Sequence, residues 1–363
     1  MADILMYAPT GLNIPKERIG GAETGVKRSI EMLNAADISI ELVEKPTTWN
    51  GLFQYFIGFI KALIEVNQKL GKDSGCLFYL VGFYERQAFC EALLCFCAKK
   101  HGCKIVYEPK NGSMVRSYKN GNALYKKLMN YIFANAEVVF CQGMEYKDFL
   151  DSEGYKNAIY HPNYISMKNL SLFNRSETKG QINFVFVGRV AEDKNIGFVV
   201  STFAKIHEVY QQSKLFVIGG WQDEYKAKID SEIKSRGIEN AVIFIGRQDF
   251  AGIAGKLNQS HFFLFPSKNA MEGHSNALTE AMAFGVVPIA SNYGFNRSIV
   301  GIDELILEEF DDDKYAETAI RIINSGKWEE YSKRVRNHVL NKFSEPIVQS
   351  VYLNAVKKTL GKQ

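Results

Sequence analysis

Short apolar runs, rich in β-branched and aromatic residues, alternate along the chain with longer amphipathic stretches. In the first half, runs at 3–8, 38–44, 76–82, 104–108, 137–141 and 158–160 predict strands. Between them, 22–35, 52–70, 84–101, 122–134 and 145–153 carry helical periodicity. The longest apolar stretch, Phe53 to Val66, is interrupted by Lys61 and Glu65, which predicts an amphipathic helix rather than a membrane span. Strand-then-helix repetition predicts parallel βαβ units. The pattern breaks near Pro162, and the polar segment 166–180, rich in Ser, Asn and Lys, predicts a linker. A second series opens at Ile182–Val187, with strands near 214–218, 241–245, 261–265 and 286–290. Its helices fall near 195–211, 222–236, 250–257, 276–284 and 312–325. After a stop near Phe343-Ser344-Glu345-Pro346, a last helix is expected to run to the C-terminus. The expected fold class is α/β. Two Rossmann-like domains, 1–165 and 181–342, would open a cleft at the carboxyl ends of their sheets, with 343–363 as a terminal helix.

A length of 363 residues suits two domains better than one. The net charge of +4 is too small to imply a nucleic-acid partner. Cys76, Cys90, Cys95, Cys97, Cys103 and Cys141 all lie in the first half and form no CxxC pair. Their spacing fits neither a zinc site nor a secreted disulfide framework, so reduced cysteines in a cytoplasmic core are expected. Met1-Ala2-Asp3 leads directly into the strand-like Ile4–Tyr7, without the pattern of a signal peptide.

The stretch from Glu272 to Gly285 carries the most chemistry. Ser275 or Asn276 can cap a helix that Gly285 ends, with Pro288 three residues beyond. His261–Phe265 feeds in as a strand, so the order is strand, polar loop, helix. That order sets a helix N-terminus, which favours an anion, beside Glu272 and Glu280, which can accept from hydroxyls. Anion and polyol at one site point to a sugar nucleotide. Eight residues of helix would separate the two carboxylates by roughly 12 Å. Glycosidase pairs flank one bond at about 5–9.5 Å, so these two glutamates are expected to hold opposite ends of one long ligand.

Four further features of the chain bear on its chemistry. Arg189 and Lys194 stand just past the strand ending at Val187, where fixed cations would stabilise a departing diphosphate. A glycine-rich loop, Pro9 through Gly20-Gly21-Ala22-Glu23, would let backbone N–H groups near Gly21 approach a phosphate. Val26 stands where a P-loop requires lysine, which excludes an NTPase. Lysines from Lys99 to Lys127, interleaved with Tyr107, Tyr118 and Tyr125, fit an anionic lipid surface, an acceptor pyrophosphate or a solvated helix face. Asp311-Asp312-Asp313 is expected to open a helix rather than hold a metal.

Together these pieces resemble retaining glycosyltransferases of family 4, with the GT-B fold. The matching elements are Gly20-Gly21-Ala22-Glu23, Tyr160-His161-Pro162-Asn163, Phe186-Val187-Gly188-Arg189 with Lys194, Leu215–Gly219, Phe244-Ile245-Gly246, and Phe265-Pro266-Ser267 leading into Glu272–Gly285. The resemblance implies that Gly188, Arg189 and Lys194 meet the donor diphosphate and that Gly21 approaches it from the first domain. It implies that Glu272 holds sugar hydroxyls near the anomeric carbon, and that Gly273, His274, Ser275 and Asn276 meet sugar and phosphate. Leu278 would lie beside the nucleoside, Glu280 would accept from the ribose, and Arg247 would border the nucleobase pocket. Many members carry a histidine after the fourth strand of the first domain. Here that region reads Tyr107-Glu108-Pro109-Lys110-Asn111-Gly112, with Glu108 as the candidate catalytic replacement. Lys110 and the Gly112 loop resemble acceptor-side segments of bacterial surface-polysaccharide transferases.

The expected activity is metal-independent, retaining hexosyl transfer from a nucleotide diphosphate sugar, UDP-sugar favoured, to a capsule or O-antigen glycan. No cofactor is expected. The acceptor would be a lipid-diphosphate-linked oligosaccharide, reached in the cytoplasm with peripheral contact at the inner face of the membrane. The alternatives are a sugar-nucleotide epimerase or phosphorylase of the same fold, or a catalytically silent nucleotide-sugar-binding scaffold.

Overall fold

The computed structural model describes residues 2–11, 21–47, 51–72, 76–110, 112–175, 180–269 and 272–362. Gly20, Asn111 and residues 176–179 of the expected linker lie outside them. The chain divides into two compact units, one of residues 1–162 with 349–363 and one of residues 163–348.

The first unit runs β1 (Ile4–Ala8), α1 (Gly21–Ala35), β2 (Ile40–Glu44), α2 (Leu52–Lys72), β3 (Leu77–Gly82), α3 (Ala88–Lys100), β4 (Lys104–Pro109), α4 (Met114–Asn120), α5 (Ala123–Asn135), β5 (Val138–Cys141), α6 (Met144–Ser152) and β6 (Ala158–Tyr160). The strands form one parallel sheet in the order β2-β1-β3-β4-β5-β6. Strands β1, β3 and β5 are buried along their whole length, whereas the edge strand β2 is mostly half-buried. Helices cover both faces of such a sheet, which is why its inner strands read as unbroken apolar runs. The six cysteines are free thiols, and burial pushes the Cys141 thiol up to about 12. These sulfurs therefore behave as small apolar groups.

The second unit runs α7 (Met167–Leu170), β7 (Asn183–Val187), α8 (Ile196–Val209), β8 (Lys214–Ile218), α9 (Asp223–Ser235), β9 (Val242–Gly246), α10 (Phe250–Leu257), β10 (Phe262–Phe265), α11 (Asn276–Ala283), β11 (Val287–Ser291), α12 (Asn296–Val300), β12 (Ile306–Leu307), α13 (Asp312–Asn324) and α14 (Trp328–Lys342). Its parallel sheet has the order β12-β11-β10-β7-β8-β9. Helix α15 (Glu345–Leu360) follows, and the division between the units falls within it, after Val348. The segment expected as a linker is anchored on the second unit over its described residues. The amide of Asn174 donates to Asn258 Oδ1 at 2.9 Å, and the Arg175 guanidinium donates to the carbonyls of Phe284 and Ser260.

The strand order of the second unit decides where its chemistry gathers. From β7 the chain steps outward to β8 and β9, then returns to the other side of β7 as β10. The crevice between the carboxyl ends of β7 and β10 is therefore a topological switch point, where open α/β sheets take their ligands.

Candidate functional site

Loops after β7 and β10 meet at that switch point. Lys194 and Glu272 form an ion pair across it, with side chains only 14% and 12% exposed. Ser267 donates its hydroxyl to Glu272 Oε2 at 2.7 Å, and the amide of Lys268 donates to the Asp193 carbonyl at 3.1 Å. Gly294, at φ +55°, packs so closely that a Cβ there would stand 2.1 Å from the Glu272 carbonyl oxygen. The carboxylate is thus held by Lys194 and the Ser267 hydroxyl, while the Glu272 main chain is packed against Gly294. Arg189 is more open: its side chain is 67% exposed and pairs with Asp193 at 3.0 Å.

Gly188 and its neighbours form the floor. The amide of Gly188 donates to Ile218, that of Val190 to Gly220, and that of Gly219 to Gly246. These bonds carry the sheet pairing past its last residues, so three loops run together at the carboxyl edge. Arg247 leaves the third loop and lies against Gly220, where a Cβ would fall 2.4 Å from Arg247 Nε. Gly246 lies against the exposed ring of Trp221.

Helix α11 starts as its sequence predicts. Ser275 caps it, accepting from the Leu278 amide at 3.3 Å, so the first turn's remaining amides point out beside Gly273 and Asn276. His274 is buried, with its ring edge-on to Phe343 at 4.8 Å and its carbonyl accepting from Asn163 at 2.8 Å. It acts as a wedge that holds the turn. Leu278 is fully buried, and Glu280 is half-buried on the same helix.

A second polar cluster occupies the first unit. Glu108, at the carboxyl end of β4, accepts from Lys110 Nζ at 2.5 Å and from the Tyr79 hydroxyl at 2.8 Å. His161 Nδ1 lies 3.4 Å from the same carboxylate, and its ring stacks on Tyr352 at 4.6 Å. Burial pushes the Glu108 carboxyl up, but Lys110 and His161 outweigh it and hold the group well below the usual carboxylate range. Glu108 is therefore an anion held between the Lys110 ammonium and the His161 ring. Gly21 opens α1 of this unit, exposed, with open space where a Cβ would stand.

Residues 168–338 match the family model for Glycosyl transferases group 1. The match takes in 171 of the 363 residues, a little under half of the chain. An uncharacterised glycosyltransferase from Methanocaldococcus jannaschii is 26% identical over 193 residues, 49% of this chain and 46% of that protein. The capsular polysaccharide biosynthesis glycosyltransferase CapM of Staphylococcus aureus is 29% identical over 189 residues, 50% of this chain and 48% of that protein. The chain thus matches about half the length of these curated relatives. A solved structure of Anabaena HepE in complex with UDP covers 99% of this chain and 100% of its own, with a TM-score of 0.73 at 12% identity. Similarity of that kind shows the fold, which is that of the GT-B glycosyltransferases.

Within the matched stretch, Gly188, Arg189, Lys194, Arg247, Glu272 and Gly273–Asn276 all lie at one sheet edge. Glu108 and Gly21 belong to the first unit. The aspartate string opens a helix, as its sequence predicts: Asp311 caps α13, and Asp312 and Asp313 pair with Lys205. Ser267 and Gly294, which hold Glu272, were not singled out from sequence as site residues. Nothing local marks them, because their partner is reached only through the fold.

Proposed function

We propose that the protein is a retaining glycosyltransferase of family 4 that moves a hexosyl unit from a nucleoside diphosphate sugar, UDP-sugar favoured, to a growing surface glycan. The observation that carries this reading is the Lys194–Glu272 pair at the switch point of the matched stretch. A diphosphate that takes Lys194 as its counter-ion releases Glu272 to accept from the hydroxyls of the sugar on the same ligand. Arg189, exposed on the same loop, adds a second cation for the leaving group, and the first-turn amides of α11 add neutral donors. These groups stabilise negative charge as it develops on the diphosphate.

In this reading Glu272 positions and polarises, and the departing phosphate oxygen takes the acceptor's proton. Glu108, already committed to Lys110 and His161, orders the acceptor side rather than acting as a base. HepE was solved with UDP and CapM is named for capsular polysaccharide biosynthesis, which favours a uridine donor and a polysaccharide acceptor here, presented on a lipid diphosphate.

The test is UDP release from a panel of UDP-hexoses with lipid-diphosphate-linked acceptors. Glu272→Gln should lower kcat by about a hundredfold while UDP affinity stays within a few-fold. Wild-type turnover in that variant refutes the role of Glu272. A new UDP-sugar formed without acceptor would mean an epimerase instead.

A further inference from the structure

Cys76 and Cys103 stand one position ahead of Leu77 and Lys104, which pair in register where β3 and β4 begin. Register partners on neighbouring parallel strands point to the same face, so the two cysteines are set side by side. Their sulfurs lie 3.7 Å apart, in van der Waals contact. Neighbouring strands run about 4.8 Å apart, within the roughly 4.4–6.8 Å between Cα atoms that a disulfide spans. Side-chain torsion has only to close the gap to the about 2.05 Å of an S–S bond. The backbone is already placed for it.

The other four thiols are placed differently. Burial pushes Cys90, Cys95 and Cys141 up, Cys141 to about 12, which keeps them protonated. Cys97 is raised by burial as well, and its thiol donates to Asn67 Oδ1 at 3.2 Å. Cys103 is buried, at 1% exposed, whereas Cys76 is half-buried. One member of the pair therefore opens to solvent and the other stands directly behind it. That is the arrangement of an attacking and a resolving thiol.

We propose that Cys76 and Cys103 form a reversible disulfide when the protein meets an oxidising low-molecular-weight disulfide such as oxidised glutathione. Cys76, as thiolate, attacks one sulfur of the oxidant and expels the first glutathione. The Cys103 thiolate then attacks the Cys76 sulfur of that mixed disulfide and expels the second. Two protein thiols lose two electrons and two protons, and the oxidant takes up both to become two thiols. An excess of reduced glutathione runs the exchange backwards, so in a reducing compartment the pair rests as thiols.

The bond ties β3 to β4 where both strands start. Further along the same two strands, the Tyr79 hydroxyl already donates to Glu108 at 2.8 Å. The cross-link closes a loop over residues 77–102, which holds β3 and α3. Its effect falls on the opened chain, which loses conformations that the folded sheet never uses. The pair lies wholly in the first unit, and its chemistry is independent of the transferase reading.

Incubation of the full folded chain with oxidised glutathione, followed by alkylation in denaturant, tests it. Two of the six thiols should be lost, and non-reducing trypsin digestion should yield one linked species joining residues 73–86 to residues 101–104. Dithiothreitol should restore both thiols. In Cys103→Ser the reaction should stop at a glutathione adduct on Cys76, and in Cys76→Ser the rate of thiol loss should fall by roughly tenfold or more. Amides of β3 and β4 should exchange roughly tenfold more slowly in the linked protein than in the reduced one. Unchanged exchange would overturn the tie between the strands. A bond from Cys103 to Cys97, glutathione adducts spread over all six cysteines, or six thiols surviving an oxidant that consumes free dithiothreitol would each overturn the proposal.

Discussion

Gly219 shows how one residue sets the geometry of the site. It sits at φ +152°, and a Cβ there would stand 1.7 Å from the Gly188 carbonyl oxygen. Two backbones pass in direct contact at the carboxyl ends of β7 and β8, and a side chain on Gly219 would force them apart. Gly219→Ala should destabilise the second unit by roughly 3 kcal/mol, since the clash is with main chain and has nothing flexible to displace. Urea unfolding followed by Trp328 fluorescence would measure it, and a midpoint shift of a few tenths of a molar or less would show that the loops yield. The glycines at 188 and 219 are visible in the sequence. That they touch is not, because thirty residues of helix and strand lie between them.

At the scale of elements, the alternation of apolar runs located nearly every strand to within two residues. Fully buried strands are continuous blocks of Val, Ile, Leu and Phe, the strongest local signal a parallel sheet offers. What went unread was short or weakly patterned. Helices α4 and α12 have seven and five residues and β12 has two, too few for a period to show. Helix α14 is long, but only Tyr331, Ser332, Val335 and Val339 of its fifteen residues are buried, and one of those is polar.

Element contacts also create a pH dependence. His261, just ahead of β10, accepts from the Asn183 amide through Nδ1 at 3.1 Å and lies 4.8 Å from the Trp328 ring. Burial, and secondarily Arg175, push its pKa down to about 4. Its unfolded value is near 6.5, so between the two the unfolded chain binds the extra proton. This group's contribution is therefore complete above about pH 6.5 and declines as pH falls towards about 4. Asparagine can offer an acceptor in place of Nδ1 without titrating. Urea midpoints of the wild type should fall more steeply over that window than those of His261→Asn, and parallel slopes would exclude the effect.

On the scale of the whole molecule, the two ends of the chain belong to one unit. Residues 349–363 complete the first unit: Tyr352 and Val356 are fully buried, and Tyr352 packs on Phe140 at 5.0 Å and on His161 at 4.6 Å. Removing a buried aromatic alone costs about 3–5 kcal/mol, against a domain stability of roughly 5–15 kcal/mol. Truncation after Val348 should therefore strip amide-exchange protection from β3 and β5 while leaving β7 and β10 protected. Retained protection in β3 would show that the first unit closes without its last helix.

The sequence alone determined the α/β class, the elements and the candidate residues from Gly188 to Asn276, because hydrophobic period and turn chemistry are local properties of the chain. Strand order decided the rest. Only when β10 returns beside β7 do Lys194 and Glu272, 78 positions apart, become an ion pair, with Ser267 and Gly294 as its supports. In the first unit, sheet order likewise joins Glu108 to His161 and sets Cys76 beside Cys103. These are contacts between segments distant in sequence, and no period along the chain encodes which segments become neighbours.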